Sequence, residues 1–98
     1  MTTRKEILEK ADQCVNGLRE GSYGKPERSF GVIAQMWNAY MKAKGSSTLL
    51  TETDVASMMM LLKISRIATG RYVDDNWVDI AGYAACGGEI QSMGDDEE

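Results

Sequence analysis

Apolar side chains recur every three or four residues in four separate segments of this chain, and glycine residues lie between the segments. This spacing puts the apolar side chains on one face of an α-helix, whereas strands alternate at every second residue. The pattern predicts helices over about 3–20, 26–43, 51–69 and 74–90. Four helices with short connections predict a single all-α domain with a four-helix bundle-like fold.

Local signals support the predicted helix starts. Thr3 with Glu6, and Thr51 with Asp54, have the spacing of a capping box, in which the two side chains bond each other's backbone N–H groups. Asp74 is of the residue type that accepts a hydrogen bond from the first turn as an N-cap. We therefore expect the first, third and fourth helices to begin at these positions.

The third predicted helix carries the densest apolar sequence, residues 58–62, and Leu61 and Ile64 widen its apolar stripe. We expect this helix to be the most buried, and Trp77 of the fourth helix to point inward. The fourth helix also contains small residues that allow another helix to approach closely, within the chain or across a dimer: Gly82, Ala84, Ala85, Gly87 and Gly88.

The apolar content is large for a short chain. Hydrophobic residues make up 43% of 98 residues, with seven methionines and two tryptophans. A bundle of this size leaves some of them exposed unless another subunit covers them. The composition therefore predicts a homo-oligomer, a dimer or higher, in which the second and fourth helices contribute apolar contacts.

Charge is concentrated at the end of the sequence. Four of the 15 acids lie at 95–98, and the other 11 balance the 11 lysines and arginines. A neutral body does not favour binding to nucleic acid through bulk charge. We expect one domain over 1–92 and an acidic disordered tail over 93–98.

No apolar run is long enough to span a membrane, since the longest, residues 58–62, has five residues. The charged start of the sequence is not typical of a signal peptide. We therefore expect a cytoplasmic protein with no membrane partner.

Histidine is absent and the only cysteines, Cys14 and Cys86, are far apart. These facts exclude zinc sites of the usual ligand spacing and catalytic triads built on histidine. We expect both cysteines to be reduced residues of the core.

Three oxygen-bearing residues, Asp75, Asn76 and Asp79, share one face of the fourth helix. Grouped oxygen ligands of this kind bind Mg²⁺ beside phosphates. The alternative is structural, because acids in the first turn of a helix favour its dipole. Spacing alone leaves both interpretations open.

Two basic residues, Lys63 and Arg66, lie three apart on the third helix and could hold a phosphate. They could equally be solvated, or pair with acids across the bundle. The loop over 22–27 offers Tyr23 to stack on a base and Lys25 to contact phosphate, but it could also be only a helix connector.

The residues carry a resemblance to a known family. Three motifs follow one another along the chain: Tyr23-Gly24-x-Pro26-Glu27-x-x-Phe30, Lys63-x-x-Arg66, and Asp75-Asn76-Trp77-Val78-Asp79-Ile80-Ala81-Gly82-Tyr83-Ala84. With these motifs, the chain resembles a family of small proteins common in bacteriophage genomes over about 23–90. More distantly, the chain resembles the MazG-like superfamily of all-α nucleoside triphosphate pyrophosphohydrolases.

The MazG-like resemblance implies an oligomeric helical bundle that uses carboxylate-bound Mg²⁺ to cleave between the α- and β-phosphates. Asn76-x-x-Asp79 sits where that superfamily has a Glu-x-x-Asp motif, and Asp75 could supply the missing carboxylate. The superfamily's upstream Glu-x-x-Glu motif has no counterpart on a helix expected to face this site.

The resulting hypothesis is a Mg²⁺-dependent nucleotide pyrophosphohydrolase of phage type. Asp75 and Asp79 would bind the metal, and Glu27 would act with them in catalysis as the base. The predicted nucleotide-binding residues are Tyr23, Lys25, Lys63, Arg66 and Asn76. The alternatives are a module that binds and sequesters a nucleotide without cleaving it, or a purely structural helical oligomer.

Overall fold

The computed structural model describes residues 1–17 and 25–96. These residues form four α-helices and no strands: α1 (Arg4–Asn16), α2 (Pro26–Ala43), α3 (Glu52–Thr69) and α4 (Asp74–Asp96). The all-α prediction is confirmed. α1 ends at Asn16, before the predicted end near Glu20, and α4 continues through its two adjacent glycines beyond Ile90.

Both predicted capping boxes are present. The Glu6 N–H donates to Thr3 Oγ1 at 3.1 Å, and the Thr3 N–H donates to Glu6 Oε1 at 3.3 Å. At the start of α3, the Thr51 N–H donates to Asp54 Oδ2 at 2.8 Å and the Asp54 N–H donates to Thr51 Oγ1 at 3.3 Å. Each box satisfies N–H groups that the first turn of a helix leaves without a partner.

The helices pack in the spatial order α1, α4, α3, α2. α4 lies between α1 and α3, and α2 packs mainly on α3. The buried core contains Phe30, Ala34, Val55 and Ala56, and Tyr83 of α4 packs against it with its ring 6.1 Å from that of Phe30. The antiparallel pair α3–α4 is therefore the centre of the fold.

Glycine permits the closest approaches of α4 to its neighbours. A Cβ atom on Gly87 would lie 2.9 Å from Ala56 Cβ of α3, and one on Gly82 would lie 3.3 Å from Val15 Cγ1 of α1. Real side chains essentially never pack at the first of these distances. Gly82 and Gly87 thus allow close helix contacts within the chain, which is one of the two possibilities that the sequence left open.

The prediction that α3 is the most buried helix is wrong. Val55 and Ala56 are its only buried residues, and Leu61 and Ile64 are exposed. The reason is that α4 and α2 pack on one side of α3 and leave the opposite side open. Trp77 of α4 is also exposed rather than directed inward.

The remaining predictions concern the membrane, the cysteines, the assembly and the domain boundary. No helix within residues 1–17 and 25–96 is long and apolar enough to cross a bilayer. Within the same residues, Cys14 and Cys86 do not form a disulfide, and both are half-buried. The homo-oligomer, the cytoplasmic location and the division at residue 92 stay predictions, although helix α4 extends to Asp96.

Candidate functional site

The centre of the candidate site is an ion pair between α3 and α4. Lys63 Nζ lies 2.8 Å from Asp79 Oδ2, and the two side chains are 13% and 25% exposed. The structure thus brings together a predicted phosphate-binding residue and a predicted metal ligand. It also realises the alternative noted for Lys63, which was pairing with an acid across the bundle.

Asn76 lies one helical turn before Asp79 and is only 8% exposed. Because Ala56 lies opposite Gly87 and Lys63 lies opposite Asp79, the register of the two helices puts Asn76 near the end of α3 that carries Arg66. No hydrogen bond joins the Asn76 side-chain amide to another residue within the described part of the chain.

The Asn76 amide is reachable from solvent despite its burial. Among the described residues, every side-chain nitrogen or oxygen that is completely buried has a hydrogen-bond partner. An amide without such a partner therefore keeps an opening to solvent. Asn76 can both donate and accept hydrogen bonds through this opening.

Two further predicted site residues flank this pair. Arg66 is exposed one turn beyond Lys63 on α3, and Asp75 is exposed one turn before Asp79 on α4. We name Lys63, Arg66, Asn76 and Asp79 the α3–α4 polar cluster. It offers two cations and an amide to a ligand, while one of the cations is held by a carboxylate.

Lys25 and Glu27 lie elsewhere. They line a cavity of about 230 Å³ between the end of α1, the start of α2 and the second half of α4, where Glu89 also lines it. Glu89 follows Asp79 by ten residues on α4, which corresponds to about 15 Å along the helix. The structure therefore does not bring Glu27 to the polar cluster, and Tyr23 lies outside the described residues.

The residues present offer a magnesium ion few ligands. Within the described residues, no group of three Asp, Glu, His or Cys side chains could hold a metal ion. One oxygen of Asp79 is already engaged by Lys63, and Asp75 lies one turn away. Mg²⁺ would fit here only if phosphate oxygens and waters completed its octahedral shell.

The start of α4 is held by contacts that the sequence did not reveal. Asp74 belongs to the helix, so its prediction as an N-cap is wrong. Its carboxylate instead accepts hydrogen bonds from Thr2 Oγ1 at 2.9 Å and from Lys10 Nζ at 3.2 Å. These contacts join residues far apart in sequence and fix the helix end on which Asn76 and Asp79 lie.

Hydrogen bonds to Asp74 link its charge to stability. Bonds from Tyr72, Thr2 and Lys10 hold the pKa of Asp74 below its ordinary value, and the bond to Asp74 raises the pKa of Tyr72. A lowered carboxyl pKa stabilises the fold above the unfolded-state pKa, and this contribution is lost as pH falls through the lowered value. The Tyr72 contribution is lost instead as pH rises through its raised pKa.

We expect Asp74→Asn to melt at a lower temperature than the wild type at neutral pH and to show a smaller further decrease in acid. Thermal melts followed by circular dichroism from neutral to strongly acidic pH measure this. Asp12→Asn is the matched control, because Asp12 is an exposed acid whose one side-chain partner among the described residues is Asn16, one turn away on α1. Equal pH profiles for the two variants would contradict the assignment.

Comparison with known proteins identifies relatives. A family model described as "Domain of unknown function (DUF6378)" matches residues 6–91. The chain is 42% identical over 78 residues to the Gene 55 protein of Mycobacterium phage L5, covering 80% of this chain and 47% of that protein. It is 36% identical over 80 residues to the Gene 55 protein of Mycobacterium phage D29, covering 82% and 50%.

The chain thus spans about half the length of these curated relatives. No solved structure is a significant match. The predicted resemblance to a phage protein family is confirmed, whereas the likeness to MazG-like enzymes stays a prediction. Because the family model covers most of the chain, this protein belongs to the DUF6378 family and is similar to proteins that phages encode.

Proposed function

We propose that this protein binds a nucleotide or a nucleotide-derived small molecule at the α3–α4 polar cluster without cleaving it. The observation that carries the proposal is Asn76, a polar side chain that is 8% exposed and has no partner within the described residues. Buried polar groups in native proteins are nearly always hydrogen-bonded, so an amide in this state is suited to a ligand.

The neighbouring charges suit phosphate. Lys63 has three N–H donors, and its ion pair with Asp79 uses one of them. Arg66, one turn away and exposed, adds a guanidinium that can bond two phosphate oxygens together. In this arrangement Asp79 orients the ammonium group of Lys63, and the Asn76 amide contacts a polar edge of the base or a sugar hydroxyl.

Mg²⁺-dependent pyrophosphohydrolysis is the second candidate. It is favoured by Asp75 and Asp79, which lie one turn apart and would hold the ion together with the nucleotide phosphates. The ion would neutralise phosphate charge and activate a water. Binding alone is better supported, because Asp79 pairs with Lys63 and the predicted base, Glu27, lines a separate cavity.

Isothermal titration calorimetry with a panel of ribo- and deoxyribonucleoside triphosphates tests the proposal. Each nucleotide is titrated with Mg²⁺ and then with a chelator, and the products are analysed for pyrophosphate release. We expect similar affinity in both conditions and no turnover. We also expect Asn76→Ala to weaken binding about tenfold, equivalent to about 1.4 kcal/mol.

Asn16→Ala is the matched control for Asn76→Ala, because Asn16 is an exposed asparagine whose side chain bonds Asp12 and no other residue of the described ranges 1–17 and 25–96. Its affinity should equal that of the wild type. Binding that requires Mg²⁺ and is followed by pyrophosphate release would replace the proposal with the hydrolase. No binding of any nucleotide would overturn both and favour the structural oligomer.

A further inference from the structure

One side of α3 is an uncovered apolar surface. Met58, Leu61, Leu62 and Ile64 are all large hydrophobic residues with at least two fifths of their surface exposed, and Leu61 reaches 62%. We name these four residues the α3 outer face. They lie away from the positions that contact α4, such as Ala56 and Lys63.

The middle of α3, residues 58–62, has the sequence of a helix segment covered on every side. Residues 58–62 are all apolar, so apolar side chains point in every direction around the helix. A helix that is hydrophobic all round is buried in the structure in which it functions. Within this chain, α4 and α2 cover only one side of α3.

The dimensions of the molecule agree with a missing partner. Its accessible surface is 7324 Å², whereas a folded monomer of this mass exposes roughly 5,500 Å². Its radius of gyration is 14.9 Å, against roughly 12.6 Å for a domain of this length. The excess surface exceeds the roughly 800 Å² that each partner buries in a standard interface.

In place of the second-helix and fourth-helix contacts expected from the sequence, we propose that the α3 outer face of one copy packs against the same face of a second copy, with the two α3 helices antiparallel about a two-fold axis near Leu61. Leu61 lies near the middle of Glu52–Thr69, so this symmetry covers both faces equally. It sets Leu61 opposite its own counterpart and Met58 opposite Ile64 of the second copy.

The helix dipole favours the antiparallel orientation. An antiparallel pair sets the positive N-terminal end of each helix beside the negative C-terminal end of the other, whereas a parallel pair would juxtapose like ends. The outer face itself is uncharged, so its burial leaves no ion without water.

Multi-angle light scattering over a concentration series tests the proposal. We expect the measured molar mass of the wild type to be about twice its chain mass of 10.8 kDa. Leu61→Glu should raise the dimer dissociation constant roughly a hundredfold or more, because it buries two unpaired carboxylates on the axis. Its circular dichroism should remain helical, since Leu61 is largely exposed in the single chain.

Met36→Glu is the matched control, because Met36 is an equally exposed apolar residue on the outer side of α2. It should remain dimeric. A monomeric wild type at high micromolar concentration would overturn the proposal. Dissociation by Met36→Glu but not by Leu61→Glu would also overturn it and move the interface to α2.

A cysteine variant tests the two-fold axis itself. In Leu61→Cys the two introduced thiols face each other, so mild oxidation should give a covalent dimer on non-reducing gels. The wild type, which contains Cys14 and Cys86, sets the background. Cross-linking no greater than this background would contradict the position of the axis.

Discussion

Asp79→Ala is expected to lower the free energy of unfolding by about 2 kcal/mol and to weaken nucleotide binding, because Lys63 loses the carboxylate that orients it. The reason is that the variant leaves the Lys63 ammonium, 13% exposed, without its carboxylate. The expected cost lies between that of a surface pair and that of a fully buried pair. Thermal or urea unfolding measures it, and the melting temperature should fall by about 10 °C.

Two comparisons make this prediction specific. Glu9→Ala removes the acid of an exposed pair, Lys5–Glu9, whose atoms are 3.9 Å apart, and should change stability by less than about 1 kcal/mol. The double variant Lys63→Met, Asp79→Leu should recover most of the stability but none of the binding. An Asp79→Ala variant as stable as Glu9→Ala would show that the ion pair does not hold α3 to α4.

Gly87→Val is expected to destabilise the fold by about 3 kcal/mol. Even the Cβ atom of the new side chain would lie 2.9 Å from Ala56 Cβ. Ala56 is 1% exposed, and its short side chain has no flexible end that could move aside. α3 and α4 must therefore separate, and their contact is the most extensive one between the described helices. Urea unfolding measures the loss, and the melting temperature should fall by roughly 15 °C or more.

The adjacent glycine is the control for this substitution. A Cβ atom on Gly88 would meet nothing within 4 Å, so Gly88→Ala should stabilise the protein by about 0.5–1 kcal/mol through helix propensity. Opposite signs at neighbouring positions distinguish a packing effect from a general intolerance of side chains in this part of α4. Equal losses at both positions would contradict the α3–α4 packing.

The fold class and most helix starts could be predicted because they depend on residues close together in sequence. The capping boxes of Thr3 with Glu6 and of Thr51 with Asp54 are of this kind. The burial of α3 could not be predicted, because apolar residues surround the helix and the periodicity does not say which side its neighbours cover. The role of Asp74 could not be predicted either, because its partners, Thr2 and Lys10, are distant in sequence.

The candidate site was predictable as a set of residue types but not as an arrangement. Lys63 was open to phosphate binding or pairing with an acid, and only the α3–α4 register selects Asp79 as its partner. The same register buries Asn76, which spacing alone could not distinguish from the exposed Asp75. Glu27 is displaced because the start of α2 packs near Glu89, in the second half of α4.

The side-chain amide signal of Asn76 in two-dimensional NMR, followed during titration with the nucleotide that binds best, tests the proposed site most directly. Asn38 is an internal reference, since its amide donates to Leu50 O at 3.0 Å and accepts from Leu50 N at 2.8 Å. We predict that the Asn76 signal shifts and saturates at the calorimetric affinity while the Asn38 signal stays in place. Saturating nucleotide that leaves the Asn76 signal unmoved would contradict binding at the α3–α4 polar cluster.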